Sequence, residues 1–464
     1  MRILLHATKI FNFICHIIKL FAPYSSYMKT IILTIFIGLL IFKTTFAQHN
    51  QTNFITSDID NFWQAYDKIQ TTKDSVQQYN YINHLFIDRG TPGLKAIMKV
   101  RDYTAKSYVD AINSYPLFWN SIRPNTYKTR QFAAEIAANV QKLQKLYPAL
   151  KPAKIYFTMG AFRTGGTTLD SMVLIGSEIA MADEHTDTRE FPANFNSLKT
   201  YFKTNPINIV VFNNVHEYVH TQQKTTVADY LVSQCVLEGV AEFLAEKATG
   251  KASTLPALAY GNGHKNRIAA VFAAQMFNSG TGYWLYSNAE NEFGVRDLGY
   301  YVGYAICENY YNKAADKKQA IKEMIELDYN NLAALGQFVD RSGYFDKPMQ
   351  VIKADYGKNQ PTVTGVKPFV DGKTLVNPAT TQLTIQFSAA MDKRYRNFEL
   401  GPLGEKNLLK LKRFVGFSDD GRSVTFEIEL KPGQHYQIIV GSGFRNTDGI
   451  NLKPYLLDFT TAGN

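Results

Sequence analysis

In the stretch VVFNNVHEYVHTQQ, Val210 to Gln223, two histidines stand four residues apart and a glutamate directly follows the first. Positions i and i+4 of an α-helix share a face, so His216 and His220 can direct both imidazoles at one metal ion. Glu217 then lies beside the metal, where it can take a proton from a metal-activated water as a general base. A catalytic zinc wants three protein ligands and an open fourth position. Seventeen residues separate His220 from Glu238 of LEGVAEF, enough for a turn and a returning helix, and Glu238 can complete the set. Glu242 falls one helical turn later on the same face, where it can accept the outer N–H of a liganding histidine and fix its tautomer. Taken alone, the two histidines read equally well as the polar face of a solvent-facing helix, and Glu242 as a surface glutamate.

Further along, DLGYYVGYAICENYYNK carries Tyr300, Tyr301 and Tyr304 in a helical pattern. Tyr300 and Tyr304 share a face, and a phenol near the metal can donate to the oxyanion of a tetrahedral intermediate. Both are therefore catalytic candidates, against the competing role of aromatic packing in a chain with 28 tyrosines.

Positioning these groups requires helices around a small sheet. From Ser57 to Pro148 apolar residues recur at helical spacing, with a break expected at Arg123–Pro124. AKIYFTMG and SMVLIGSEIAMA then read as short strands separated by the paired glycines of RTGGTT. SMVLIGSEI is a candidate sheet edge for an extended peptide, and RTGGTT a candidate cleft rim, beside the plainer readings of interior strand and turn. Helical periodicity returns until about Asp340, and beyond YGKNQPTVTGVKPF alternating segments such as TQLTIQFS, SVTFEIEL and HYQIIVG indicate an all-β unit of sandwich type. The expected class is α+β: a mainly helical domain with a small sheet over 48–358, then a β-sandwich over 361–464. No proposed ligand lies beyond Tyr356, so the two parts are expected to be separable.

The pair HEYVH and EGVAE resembles the gluzincin metallopeptidases of the MA clan, in which HExxH is followed at a distance by a glutamate that opens a second helix. The resemblance implies a zincin-like fold holding one zinc ion on His216, His220 and Glu238, with Glu217 as base and Glu242 as outer carboxylate. Within that clan, YPALKPAKIYFTMGAFRTGGTT and DLGYYVGYAICENYYNKAADKKQAIKEMIELD are similar to a group of bacterial zinc-dependent proteases predicted from sequence. No GxMEN motif for gripping a free amino terminus is present, which departs from the aminopeptidase branch. The last hundred residues resemble bacterial Ig-like domains of exported proteins through IQFSAAMDK and LKPGQHYQIIVGSGFRNTDGINL. Such a module implies binding or spacing, with contact to a cell surface or matrix, and not chemistry.

Met28–Lys29 opens a basic start, an apolar run and KTTFAQ, the pattern of a secretory signal cleaved near Ala47; residues 1–27 read as an upstream extension or, alternatively, a membrane anchor. Export to the periplasm, cell surface or medium is expected. The net charge of +10 includes five basic residues of this leader; the remaining 45 basic and 40 acidic residues, without a basic run, give no case for nucleic acid as partner. Cys235 and Cys307 can form one bridge or stay as buried thiols. The function expected from these features is peptide-bond hydrolysis on a peptide or protein substrate. The alternatives are a catalytically silent surface binder that works through its Ig-like domain, and a zinc amidohydrolase with a non-peptide substrate.

Overall fold

The computed structural model describes residues 53–463 apart from 289, 290, 371 and 373. The leader 1–47, Cys15 included, lies outside the described residues. Strand β1 (Phe54–Ile55) leads into six helices: α1 (Ser57–Ile69), α2 (Ser75–Ile82), α3 (Pro92–Arg101), α4 (Ala105–Ser114), α5 (Pro116–Thr126) and α6 (Thr129–Leu146). Three of their starts are written in the sequence as capping residues. Asp74, Thr91 and Thr104 each accept a backbone N–H of the first turn that follows, which satisfies donors the helix itself cannot. The expected break falls slightly later than Arg123–Pro124: α5 keeps Pro124 in its last turn and ends at Thr126, and α6 begins at Thr129, so the two helical blocks separate just after the proline. The apolar stripes of these helices bury Phe62, Trp63, Tyr108, Phe118 and Trp119 in an aromatic core.

Strands β2 (Lys154–Thr158), β3 (Gly166–Leu169) and β4 (Met172–Gly176) complete a four-stranded sheet of order β1-β2-β4-β3. β1, β2 and β4 run parallel, and β3 pairs antiparallel with β4. SMVLIGSEI is thus not the edge: β4 lies between two neighbours, and Val173 to Gly176 are all buried. A continuous apolar run is what an interior strand needs. The edge on that side is β3, drawn from the GGTT that reads as a turn.

Helices α7 (Ser177–Ala180), α8 (Asn196–Phe202), α9 (Val210–His220), α10 (Leu231–Thr249), α11 (Pro256–Gln275), α12 (Leu298–Lys313), α13 (Lys317–Glu326), α14 (Leu332–Ser342) and α15 (Met349–Asn359) follow. One core runs from Ile59 to Ile352. A second fills the space between two four-stranded sheets, β5-β7-β10-β9 and β6-β12-β11-β8. Here β5 is Val363–Lys367, β6 Thr374–Val376, β7 Gln382–Phe387, β8 Phe398–Glu399, β9 Leu411–Phe417, β10 Ser423–Ile428, β11 His435–Val440 and β12 Tyr455–Thr461. Leu383 and Ile385 of β7 and Leu457 and Phe459 of β12 face inward at period two. The chain is therefore α+β. Cys235 and Cys307 are buried free thiols, and no helix of the described residues is long and apolar enough to cross a membrane.

The loop that carries the chain into β3 is held from beneath by Glu178, a fully buried carboxyl on α7 that accepts from the N–H groups of Gly160 (2.7 Å) and Phe162 (3.2 Å). Burial pushes Glu178 up to about 7, against the opposing pull of those bonds. An unfolded chain loses this proton near pH 4.5 and the folded chain near 7, so the unfolded state binds fewer protons between them and stability falls as pH rises through that window. The expected loss is about 3 kcal/mol. Denaturant unfolding of the wild type and of Glu178→Gln should show their difference in stability changing by that amount between pH 4.5 and 8; a pH-independent difference would mean an ordinary carboxyl.

Candidate metal centre

Helix α9 is buried along most of its length, and Tyr218 fastens it to the sheet: the Ala153 N–H, at the entrance to β2, donates to its hydroxyl at 2.9 Å. His216 and His220 then point to one side, with their Nε2 atoms 3.1 Å apart. Glu238, two turns into α10, brings Oε2 to 3.3 Å from His216 Nε2 and 3.4 Å from His220 Nε2. All three residues are buried. An ion with tetrahedral ligands at about 2.0–2.1 Å needs donor atoms about 3.3 Å apart. The three edges fit that requirement, so His216, His220 and Glu238 can hold a metal ion.

The outer nitrogens are also committed. His216 Nδ1 lies 2.8 Å from Glu242 Oε2, and His220 Nδ1 lies 2.6 Å from Gln223 Oε1. Gln223 in turn donates from Nε2 to Leu237 O and the Tyr329 hydroxyl, which fixes its amide orientation. Both rings therefore commit their Nδ1 hydrogen outward and turn Nε2 inward, the orientation in which a metal can take the place of an Nε2 proton. Ser253 Oγ donates to the other Glu242 oxygen. Loss of the outer partner in Glu242→Ala should weaken metal affinity about 10–100-fold while the fold persists. Titration of the variant against a chromophoric chelator checks this, and unchanged affinity would reduce Glu242 to packing.

Charge accounts for the remaining behaviour. Burial works against the charged imidazole of His216, but Glu238 and Glu242 outweigh it and raise the ring well above its ordinary range. Burial would raise Glu238, yet the two histidines hold it well below the usual carboxylate range. The pocket favours a cation. Glu217 is raised, chiefly by burial, against the pull of His220 and His216. Its carboxylate accepts no hydrogen bond among the described residues and stays partly exposed.

Two glycines let α10 and α12 pack closely beside Glu238. A Cβ on Gly239 would stand 2.0 Å from the Gly303 carbonyl carbon, and one on Gly303 would stand 1.7 Å from Cys235 O. Helices α10 and α12 thus cross backbone to backbone immediately after Glu238. That crossing sets the tyrosines. Tyr300, one turn before it, has its ring 6.2 Å from the His216 ring, is half-buried, and has a hydroxyl without a partner among the described residues. Tyr304 does not join the site: it packs on Phe243 and donates to Glu246 at 3.0 Å, two turns beyond Glu238. Sharing a helical face with Tyr300 is insufficient, because Tyr304 lies one turn further along α12 and meets α10 at Glu246, two turns past Glu238.

The sequence reading missed three features. Gln223 stands three residues after His220, a signal available within HEYVHTQQ itself. Tyr286 reaches in from the loop before α12, and its hydroxyl donates to Glu238 Oε1 at 2.6 Å; its backbone is left-handed (φ 59°), which no local pattern announces. The edge strand β3 passes against Glu217, since a Cβ on Gly166 would lie 2.9 Å from its Oε1.

No family model matches the sequence, and neither does any curated protein sequence. Among solved structures, the S-layer protein rSbsC(31-844) aligns over 88% of this chain and 45% of its own length, at 12% identity and a TM-score of 0.18. The N-terminal part of the bacterial S-layer protein SbsC aligns over 88% of this chain and 77% of its own, at 12% identity and a TM-score of 0.17. The aligned portion is thus less than half the length of the first of these chains, and likeness at this level carries no argument about this protein.

Proposed function

We propose that this protein is an exported zinc-dependent metallopeptidase of gluzincin type with an Ig-like carboxy-terminal domain. The observation that carries the reading is the convergence of His216 Nε2, His220 Nε2 and Glu238 Oε2 at 3.1–3.4 Å, next to the Glu217 carboxylate, which accepts no hydrogen bond among the described residues. Two imidazoles and one carboxylate at tetrahedral spacing suit zinc, whereas calcium and magnesium favour all-oxygen shells. Bound there, zinc would supply Lewis acidity toward the scissile carbonyl and the attacking water.

The chain's own residues divide the rest of the work. Glu217 takes the proton of the attacking water and passes it to the leaving amine. Tyr300, whose ring lies 6.2 Å from that of His216 and whose hydroxyl has no partner among the described residues, is the residue we assign to donate to the oxyanion as it develops. Strand β3, paired on one side only, offers backbone N–H and C=O groups to an extended peptide, which would bring a scissile bond past Glu217. Export rests on the leader read from residues 28–47. Digestion of a mixed peptide library with the purified protein tests the reading: internal peptide bonds should be cut, cutting should stop on chelation, and zinc should restore it. Full zinc loading without cleavage of any peptide would overturn it.

A further inference from the structure

The sandwich is not simply strung behind the helical body, as its expected separability would have it. Its loop Asp448–Asn451 is seated on the segment that follows α11. Gln275 Nε2 donates to Asp448 O at 2.9 Å, Asn278 Nδ2 donates to Gly449 O at 2.9 Å, and the Asn451 N–H donates to Asn278 Oδ1 at 3.0 Å. Gly449 has φ +78°, a left-handed conformation that favours glycine, and a Cβ there would displace the Gln275 amide, whose Nε2 it would approach to 2.7 Å.

What the loop grips is connected to the metal ligands by two routes. In the first, Asn278 and Met276 offer their carbonyls to the first N–H groups of α10, Leu231 N–H at 2.9 Å and Val232 N–H at 3.0 Å. No side chain caps that helix, so this segment serves as its cap, two turns before Glu238. In the second, Gln275 Oε1 accepts from Trp284 Nε1 at 2.9 Å, and two residues later Tyr286 holds Glu238 Oε1. The first route ends on the helix that carries Glu238, the second on its carboxylate.

We infer that the Asp448–Asn451 loop is a positioning element of the metal centre: through Gln275 and Asn278 it sets the start of α10 and the reach of Tyr286, and so the orientation of Glu238. The inference rests on the reading of His216, His220 and Glu238 as metal ligands. The β-sandwich thereby becomes a brace whose docking tunes metal affinity, and a partner that pulled this loop away would loosen the ion.

The test uses the full chain and Zn²⁺ alone, with the dissociation constant measured by competition with a chromophoric chelator. Asn278→Ala, Gln275→Ala and Tyr286→Phe should each raise it about tenfold, the lower end of what outer partners of metal ligands contribute. Ile385→Val, in the sandwich core away from the loop, should lower the melting temperature and leave zinc affinity unchanged. Adding Gln275→Ala to Tyr286→Phe should change little, because both act through one hydroxyl. Wild-type affinity in folded Gln275→Ala and Asn278→Ala, or additive effects in the double variant, would overturn the brace; should Asn278→Ala not fold, Gln275→Ala decides. A wild-type chain that binds no zinc would overturn the metal reading itself, and the brace with it.

Discussion

Glu217→Gln is expected to keep its zinc and lose turnover by about 10²–10⁴-fold. The substitution preserves volume and one acceptor oxygen but removes the group that can take a proton. The site explains why the metal should stay: Glu217 makes none of the three converging contacts, and its carboxylate bonds to no protein group among the described residues. Its neighbourhood is otherwise tight, since Gly166 of the edge strand lies against it, and an isosteric amide disturbs neither side. Steady-state cleavage of a library-derived peptide, with zinc content measured on the same samples, checks both halves. Near wild-type turnover would remove Glu217 from the role of base.

Glu238→Ala should instead lose the metal. It removes one of three ligands and leaves the hydroxyl of Tyr286 and the amide of Gln234 aimed at a vacated, buried space. Loss of an outer partner costs 10–100-fold in affinity, so loss of a ligand should exceed about 100-fold, with turnover falling in proportion to occupancy. Equilibrium dialysis against buffered zinc measures it. The contrast with Glu217→Gln matters more than either result, because the two carboxylates sit within one pocket and differ only in what they touch. Full occupancy in Glu238→Ala would place the third ligand elsewhere.

Much of this site could be read before any coordinates, and the reason is locality. His216, Glu217 and His220 lie on one helix whose periodicity fixes their relative directions, and Glu242 follows Glu238 by one turn of another. The α+β class was legible for the same reason, since alternating and helical spacings do not overlap between Ser57 and Thr461. What the sequence hid depends on contacts between distant segments. Tyr304 looked equivalent to Tyr300 until the Gly239–Gly303 crossing separated them. SMVLIGSEI reads as either an edge or an interior strand, because its spacing does not tell that β4 is inserted between β2 and β3. Tyr286 comes from a loop with a left-handed turn, and the grip of Gly449 on Gln275 joins residues 174 positions apart, beyond the reach of any periodicity.

Elemental analysis of the full chain, purified without chelator, bears most directly on the claim that His216, His220 and Glu238 form a zinc centre. Wild-type protein should carry one zinc per chain, and His216→Ala, folded by circular dichroism, should carry almost none. A wild-type chain that retains no zinc from zinc-containing buffer, or an ion held equally well by His216→Ala, would contradict the account at its base.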